Sequence, residues 1–93
     1  MSNDSTRDRI AIIFIGCGST FVRGTDAPEG LAAKCVRQAR RDWKGVMHFP
    51  RRQYKVNVWD VTGHDDVYWD DTGLFDEKTN DRIDTHRTVE VET

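Results

Sequence analysis

From Ile10 to Ile15 every position is apolar, so neither face of a strand made from this run carries a charge; the pattern predicts a central strand rather than an edge. Gly16-Cys17-Gly18-Ser19 supplies turn chemistry, and Thr20 to Arg23 resumes a short β pattern, which together predict a hairpin. From Ala27 to Lys44 the period changes. At about 100° per residue, Leu31, Ala32, Cys35, Val36, Ala39 and Trp43 share one arc, while Lys34, Arg37, Arg41 and Lys44, with Arg40 beside them, occupy the opposite one. This two-faced helix is expected to be capped by Thr25 or Asp26, with Glu29 completing an approximate capping box and Pro28 in the first turn; Gly45 is expected to end it.

After a connection containing His48, Pro50, Arg51 and Arg52, the alternation returns. Tyr54, Val56 and Val58 share a face with Asp60, and Lys55, Asn57, Trp59 and Val61 share the other. If the valines lie under the helix, Trp59 falls on the open face unless a bulge reverses the alternation. Gly63 to Asp66 reads as a polar turn, Val67-Tyr68-Trp69 as a short strand, Leu74-Phe75 as an apolar anchor, and Asp76 to Asp84 as a solvated loop or hairpin connection. The tail from Thr85 to Glu92 alternates valine with glutamate, and reads either as an edge strand whose glutamates discourage further pairing or as an unordered end.

These elements imply an α+β fold in ββαββ order: an antiparallel sheet of four to five strands with one amphipathic helix packed on one face. The helix arc is expected to cover alternate residues of Ile10 to Ile15 together with Val56 and Val58. Ninety-three residues make one domain. The expected division is a flexible, polar N-terminus over residues 1–8 and a single domain over 9–93. That N-terminus is mixed in charge, and the Ile10–Ile15 run is too short for a signal-peptide core or a membrane span, so a cytoplasmic location without membrane contact is expected.

Charge changes this picture more than composition does. The formal net charge is -2, yet residues 1–55 hold eleven Lys and Arg against five Asp and Glu, while residues 56–93 hold three against eleven. Either the halves occupy different faces, giving a basic and an acidic surface, or the opposite charges pair across the domain.

The sequence argues against several chemistries. Gly16-Cys17-Gly18 after a strand is the start of a dinucleotide fingerprint, but Phe21 stands where the third glycine belongs and a β pattern follows instead of a helix. Lys78 is followed by Thr79, but Glu77 precedes it where a phosphate-cradling loop needs glycine, so that loop is absent. Cys35 sits on the apolar helix face, and neither it nor Cys17 has metal-type spacing to His48, His64 or His86; free thiols are expected, with no metal, cofactor or catalytic residue. His64-Asp65-Asp66 invites a general-base role only if a cleft exists to use it. The run Asp65 to Glu77 lacks the ligand spacing of a calcium loop, and its one glycine, Gly73, is not at the sixth position such a loop needs.

Two charged surfaces remain as binding candidates. Asp65, Asp66, Asp70, Asp71, Asp76 and Glu77 recur in ones and twos around Trp69, spacing carboxylates along a contact surface that a basic protein groove would accept. Alternatively, Lys34, Arg37, Arg40, Arg41 and Lys44, extended by Arg51 and Arg52, would follow a phosphate backbone as a small nucleic-acid-binding module. A Trp59 exposed on a flat sheet face would add a homodimer to the expected partners.

The layout of a strand hairpin through Phe21-Val22-Arg23-Gly24, one helix from Ala27 to Lys44, a strand from Tyr54 to Thr62 and an acidic C-terminal part resembles small phage or mobile-element accessory proteins. Within them it resembles the anti-CRISPR inhibitors. The resemblance is one of layout, without a shared motif, and no functional residue is carried over from it. It implies a non-enzymatic protein that occupies a surface of a CRISPR effector, sometimes as a nucleic-acid mimic, with the acidic residues meeting a lysine-rich DNA or guide-RNA channel.

Overall fold

The apolar run and the alternating run become neighbours in one sheet. The structure, a computed structural model, describes residues 7–15, 18–45 and 53–92. In chain order it contains β1 (Arg9–Ile15), β2 (Gly18–Gly24), α1 (Pro28–Asp42), β3 (Gln53–Asp60), β4 (Val67–Asp70), β5 (Gly73–Asp76) and β6 (His86–Glu92). A four-stranded antiparallel sheet has the order β2-β1-β3-β6, and β4 and β5 form a separate hairpin. The fold is α+β with one helix on one face of the sheet. β1, which holds the uncharged run from Ile10, is an inner strand, and the glutamate-bearing tail forms the edge strand β6, with Gln53 opposite Glu92 and Trp59 opposite His86.

The helix buries the arc its sequence marks out. Leu31, Ala32, Cys35, Val36 and Ala39 pack on Ala11 and Ile13 of β1, Tyr54, Val56 and Val58 of β3, and Val89 of β6. The N-cap differs from expectation. It is Ala27, with Pro28 in the first turn and no side-chain cap hydrogen bond, because the Asp26 carboxylate is drawn instead to Lys34 Nζ at 2.7 Å. At the other end the chain leaves through Trp43, and Gly45 takes a φ of 81°, open to a residue without a Cβ. Trp43 turns back onto β2. Its Nε1 donates to Thr20 Oγ1 at 3.1 Å, and its ring lies so near Gly18 that an added Cβ would come within 2.4 Å of it.

The opposite face of the sheet is covered in part by the β4–β5 hairpin. Ile10, Ile12, Trp59, Val61, Leu74 and Ile83 form a second core there, flanked by Val67 and Trp69. Trp59 does lie on the face away from the helix, and no bulge is needed, but it is only 7% exposed because the hairpin roofs it. The sequence reason for expecting a homodimer therefore falls away. β5, Gly73–Asp76, turns the apolar anchor into a strand, and within the segment read as solvated both Asp76 and Ile83 are buried.

Residues 7 and 8 belong to this framework rather than to a loose end. Val61 N–H donates to the Asp8 carbonyl at 2.8 Å, Asp8 N–H donates to Thr62 Oγ1 at 2.9 Å, and Arg7 pairs with Asp60. The rest of the expected flexible segment, residues 1–6, lies outside the described residues, as do Cys17, His48, Arg51 and Arg52. No helix among the described residues is long and apolar enough to cross a membrane.

Candidate functional site

Antiparallel pairing puts opposed residues on the same face, and the register of this sheet assembles a surface that no single stretch of sequence displays. Phe14 is opposite Ser19, Ile12 opposite Asn57, and Trp59 opposite His86, so all of these share the face away from the helix. The hairpin covers only part of that face. Beside it lies an open cleft of about 720 Å³. Phe14, Ser19, Asn57, Trp59 and His86 form its floor, and Trp69 to Gly73 together with Arg82 to Asp84 form its wall.

The floor is aromatic and largely neutral. His86 stacks on Trp59 with ring centroids 5.2 Å apart and 26° between planes, so the imidazole, not the indole, meets solvent. Phe14 is 49% exposed. At the wall, Trp69 points inward from β4, meets Phe21 edge-on at 4.9 Å and aims Nε1 at Ser19 Oγ at 3.4 Å. These contacts tie the hairpin tip to β2 and fix one side of the cleft.

The tip itself is a two-residue turn, Asp71-Thr72, between the paired Asp70 and Gly73. Asp70 Oδ1 accepts from the Thr72 hydroxyl and from its backbone N–H, and these bonds hold the carboxyl below the usual carboxylate range. Gly73 has a φ of 150°, and the Arg82 guanidinium lies over it, 3.4 Å from where a Cβ would sit. Arg82 Nε also pairs with Asp84 Oδ1 at 3.2 Å. The wall thus presents three carboxylates, from Asp70, Asp71 and Asp84, and one guanidinium.

The acidic residues singled out in the sequence do not form one face. Trp69, Asp70 and Asp71 sit at the cleft, whereas Asp65, Asp66, Asp76 and Glu77 gather at the other end of the hairpin, where Val67 is opposite Asp76 and Glu77 N–H donates to the Asp66 carbonyl at 2.9 Å. Asp65, Asp66 and Glu77 are exposed there. Asp76 is turned inward: Oδ2 meets His64 Nδ1 at 2.5 Å, and Oδ1 accepts from Lys78 N–H at 2.8 Å and Thr79 N–H at 3.3 Å. It organises the chain reversal after β5, where Asn80 takes a φ of 60°. His64, the general-base candidate, is engaged in this contact, and Asp65 and Asp66 lie near the Arg23 guanidinium.

Hydrogen bonding by the His64 ring, and then by the Lys78 amide, holds Asp76 below the usual carboxylate range. A carboxylate favoured by the folded state stabilises the protein above its unfolded pKa, about 3.9, and loses that contribution as the pH falls through the lower folded value. The denaturant midpoint of Asp76→Ala is therefore expected to lie below that of the wild type at neutral pH. The gap should close on acidification below about pH 4. A gap that is the same at acid and neutral pH would show that the ionised form contributes nothing.

On the helix side the basic residues are unevenly available. Arg37, Arg41 and Lys44 are exposed and Arg40 is half-buried. Lys34 is paired with Asp26, and Arg41 Nη2 donates to Gln38 Oε1 at 3.2 Å. Across the domain, Arg7 pairs with Asp60 and Arg87 with Glu29, so the two halves of opposite charge are partly interleaved. Burial pushes the Cys35 thiol up to about 11, with its sulfur 3.4 Å from the Thr20 carbonyl, which makes it a poor nucleophile. Among the described residues no group of three or more His, Cys, Asp or Glu side chains is placed to hold a metal ion.

No protein-family model matches this chain, and no curated protein or solved structure is significantly similar to it. A functional reading therefore rests on the chemistry of the cleft and its surroundings. Of the cleft residues, sequence reasoning identified Trp69, Asp70 and Asp71 as a site and missed Phe14, Asn57, Arg82, Asp84 and His86. The available signal was strand parity: Phe14 shares the parity of Ile10 and Ile12, whose face the pairing of β1 with β3 makes common with Trp59.

Proposed function

We propose that this protein is a non-catalytic binding protein that occupies a basic surface of a nucleic-acid-processing complex, of which a CRISPR effector is one instance, and that the acidic tip of the β4–β5 hairpin makes the contact. One observation supports this reading above the others: Trp69, Asp70 and Asp71 stand together at the rim of an open cleft. Neither Asp70 nor Asp71 is held in an ion pair among the described residues. Carboxylates displayed beside aromatic surface suit a lysine- or arginine-rich partner, through steering at long range and contact area at short range. The exposed Asp65, Asp66 and Glu77 extend the negative field along the hairpin.

The competing reading is a nucleic-acid-binding module, favoured by the exposure of Arg37, Arg41 and Lys44 on the outward side of α1. A pair of charge variants separates the two. The first replaces Asp65, Asp66, Asp70 and Asp71 by lysine; the second replaces Arg37, Arg40, Arg41 and Lys44 by alanine. Both are compared with the wild type in capture of a host nucleic-acid-processing complex after nuclease treatment, and in gel shifts with DNA and RNA at low and moderate salt. The expected result is nuclease-resistant capture that the lysine variant loses and the alanine variant keeps, with no gel shift. Salt-sensitive binding to nucleic acid that the alanine variant abolishes would replace the proposal with its competitor.

A further inference from the structure

Resting on the acidic-tip reading above, we infer that the cleft is a receptor for an arginine side chain of the protein partner, and that Arg82 is an internal cation standing where that side chain binds. The geometry supports an arginine in particular. An arriving guanidinium would meet the Asp71 and Asp84 carboxylates at the wall and the exposed rings of Phe14 and His86 on the floor. It is planar, pairs with carboxylates in a fork and stacks on aromatic faces, whereas a lysine ammonium does neither well. The volume of about 720 Å³ is enough for one long side chain and the backbone that carries it.

Arg82 shows that the site already accepts this group. Its guanidinium lies against the bare backbone of Gly73 and pairs with Asp84 at 3.2 Å. Both partners of the Arg82–Asp84 pair are largely exposed, with side chains 60% and 83% accessible, so the pair is held weakly and is open to exchange. One guanidinium also leaves the three wall carboxylates incompletely neutralised, which sets the sign of what binds next.

That sign makes the inference testable. The full chain is titrated with a labelled Gly-Arg-Gly-Arg-Gly peptide, the matching lysine peptide and an oligothymidine, following tryptophan emission and peptide anisotropy. The arginine peptide is expected to bind best and the oligothymidine not at all. Arg82→Gln, which removes the resident cation, is expected to tighten the arginine peptide about two- to fivefold, and Asp71→Asn with Asp84→Asn to weaken it by a similar or larger factor. Glu90→Gln with Glu92→Gln, at the end of β6 away from His86, is expected to leave it within about twofold.

All these positions are exposed, so the variants keep the fold, which near-ultraviolet circular dichroism checks. Weaker binding in Arg82→Gln, equal response to the lysine peptide, or preference for the oligothymidine would overturn the inference. So would an absence of peptide binding, even if partner capture still depended on the acidic residues; in that case the broader reading survives and the cleft is not its site.

Discussion

Replacing Leu74 by alanine is expected to lower unfolding stability by about 2–5 kcal/mol, the range for removing a fully buried leucine side chain. Leu74 has no exposed surface and packs with Ile10, Ile12, Trp59, Val61 and Ile83, so it is the link between β5 and the sheet beneath. Its backbone is fixed as well, since Ile83 N–H donates to the Leu74 carbonyl at 2.8 Å. A two-stranded hairpin of four-residue strands has no independent stability in water. Loss of the Leu74 contacts should therefore free the hairpin before the helix-side core melts, exposing Trp59. The measurement is denaturant unfolding followed by both tryptophan emission and far-ultraviolet circular dichroism. Leu74→Ala should separate the two transitions, with emission shifting first. Leu31→Ala, which opens the core on the other face, should lower stability comparably and leave the transitions together. Coincident transitions in Leu74→Ala with a loss below about 1 kcal/mol would mean that the hairpin is held by something other than this core.

The same residue shows what the sequence could and could not convey. Leu74 and Phe75 are recognisable as an anchor because they interrupt an acidic stretch, but nothing local says which surface the anchor meets. The helix was legible in detail because its period exposes both faces at once, and β1 was legible as an inner strand because its run from Ile10 to Ile15 lacks any charge. Trp59 is the instructive error of omission: alternation assigns it to the face away from the helix, correctly, and is silent about a second layer built from Val67, Trp69, Leu74 and Ile83, later in the chain. Asp26 shows the opposite failing: its local preference for capping goes unused, since the helix starts from Ala27 and the Asp26 carboxylate pairs with Lys34, eight residues along the chain. The cleft was the least legible part. Its residues come from β1, β2, β3, the hairpin tip, the segment before β6 and the start of β6, and only the pairing registers bring them to one face.

Replacing Arg23 by alanine is expected to cost about 1–3 kcal/mol, the range for charge-assisted hydrogen bonds that lose one partner. Arg23 is on β2, on the same side of the sheet as the hairpin, and its guanidinium joins three separate parts of the chain. Nε and Nη2 donate to the Asp8 carboxylate, Nη2 reaching Oδ2 at 2.7 Å; Nη1 donates to the Asp65 carbonyl at 2.9 Å, and Nη2 also reaches the His64 carbonyl. The Asp8 contact raises the Arg23 pKa further above its already high value, so the group is charged throughout the working range. With a side chain 28% exposed, the cluster is shielded enough that added salt should weaken it only in part. Arg23→Lys tests whether shape or charge matters. A single ammonium cannot serve a carboxylate and two carbonyls in different directions, so lysine should restore less than about half of the loss. Full restoration would reduce the cluster to a simple ion pair. Because the two carbonyls belong to the turn that leads into β4, Arg23→Ala should also perturb amide resonances of residues 62–69 in heteronuclear correlation spectra. The perturbation should reach Trp69 through its contact with Phe21, since the hairpin cannot shift on β2 without moving the wall of the cleft.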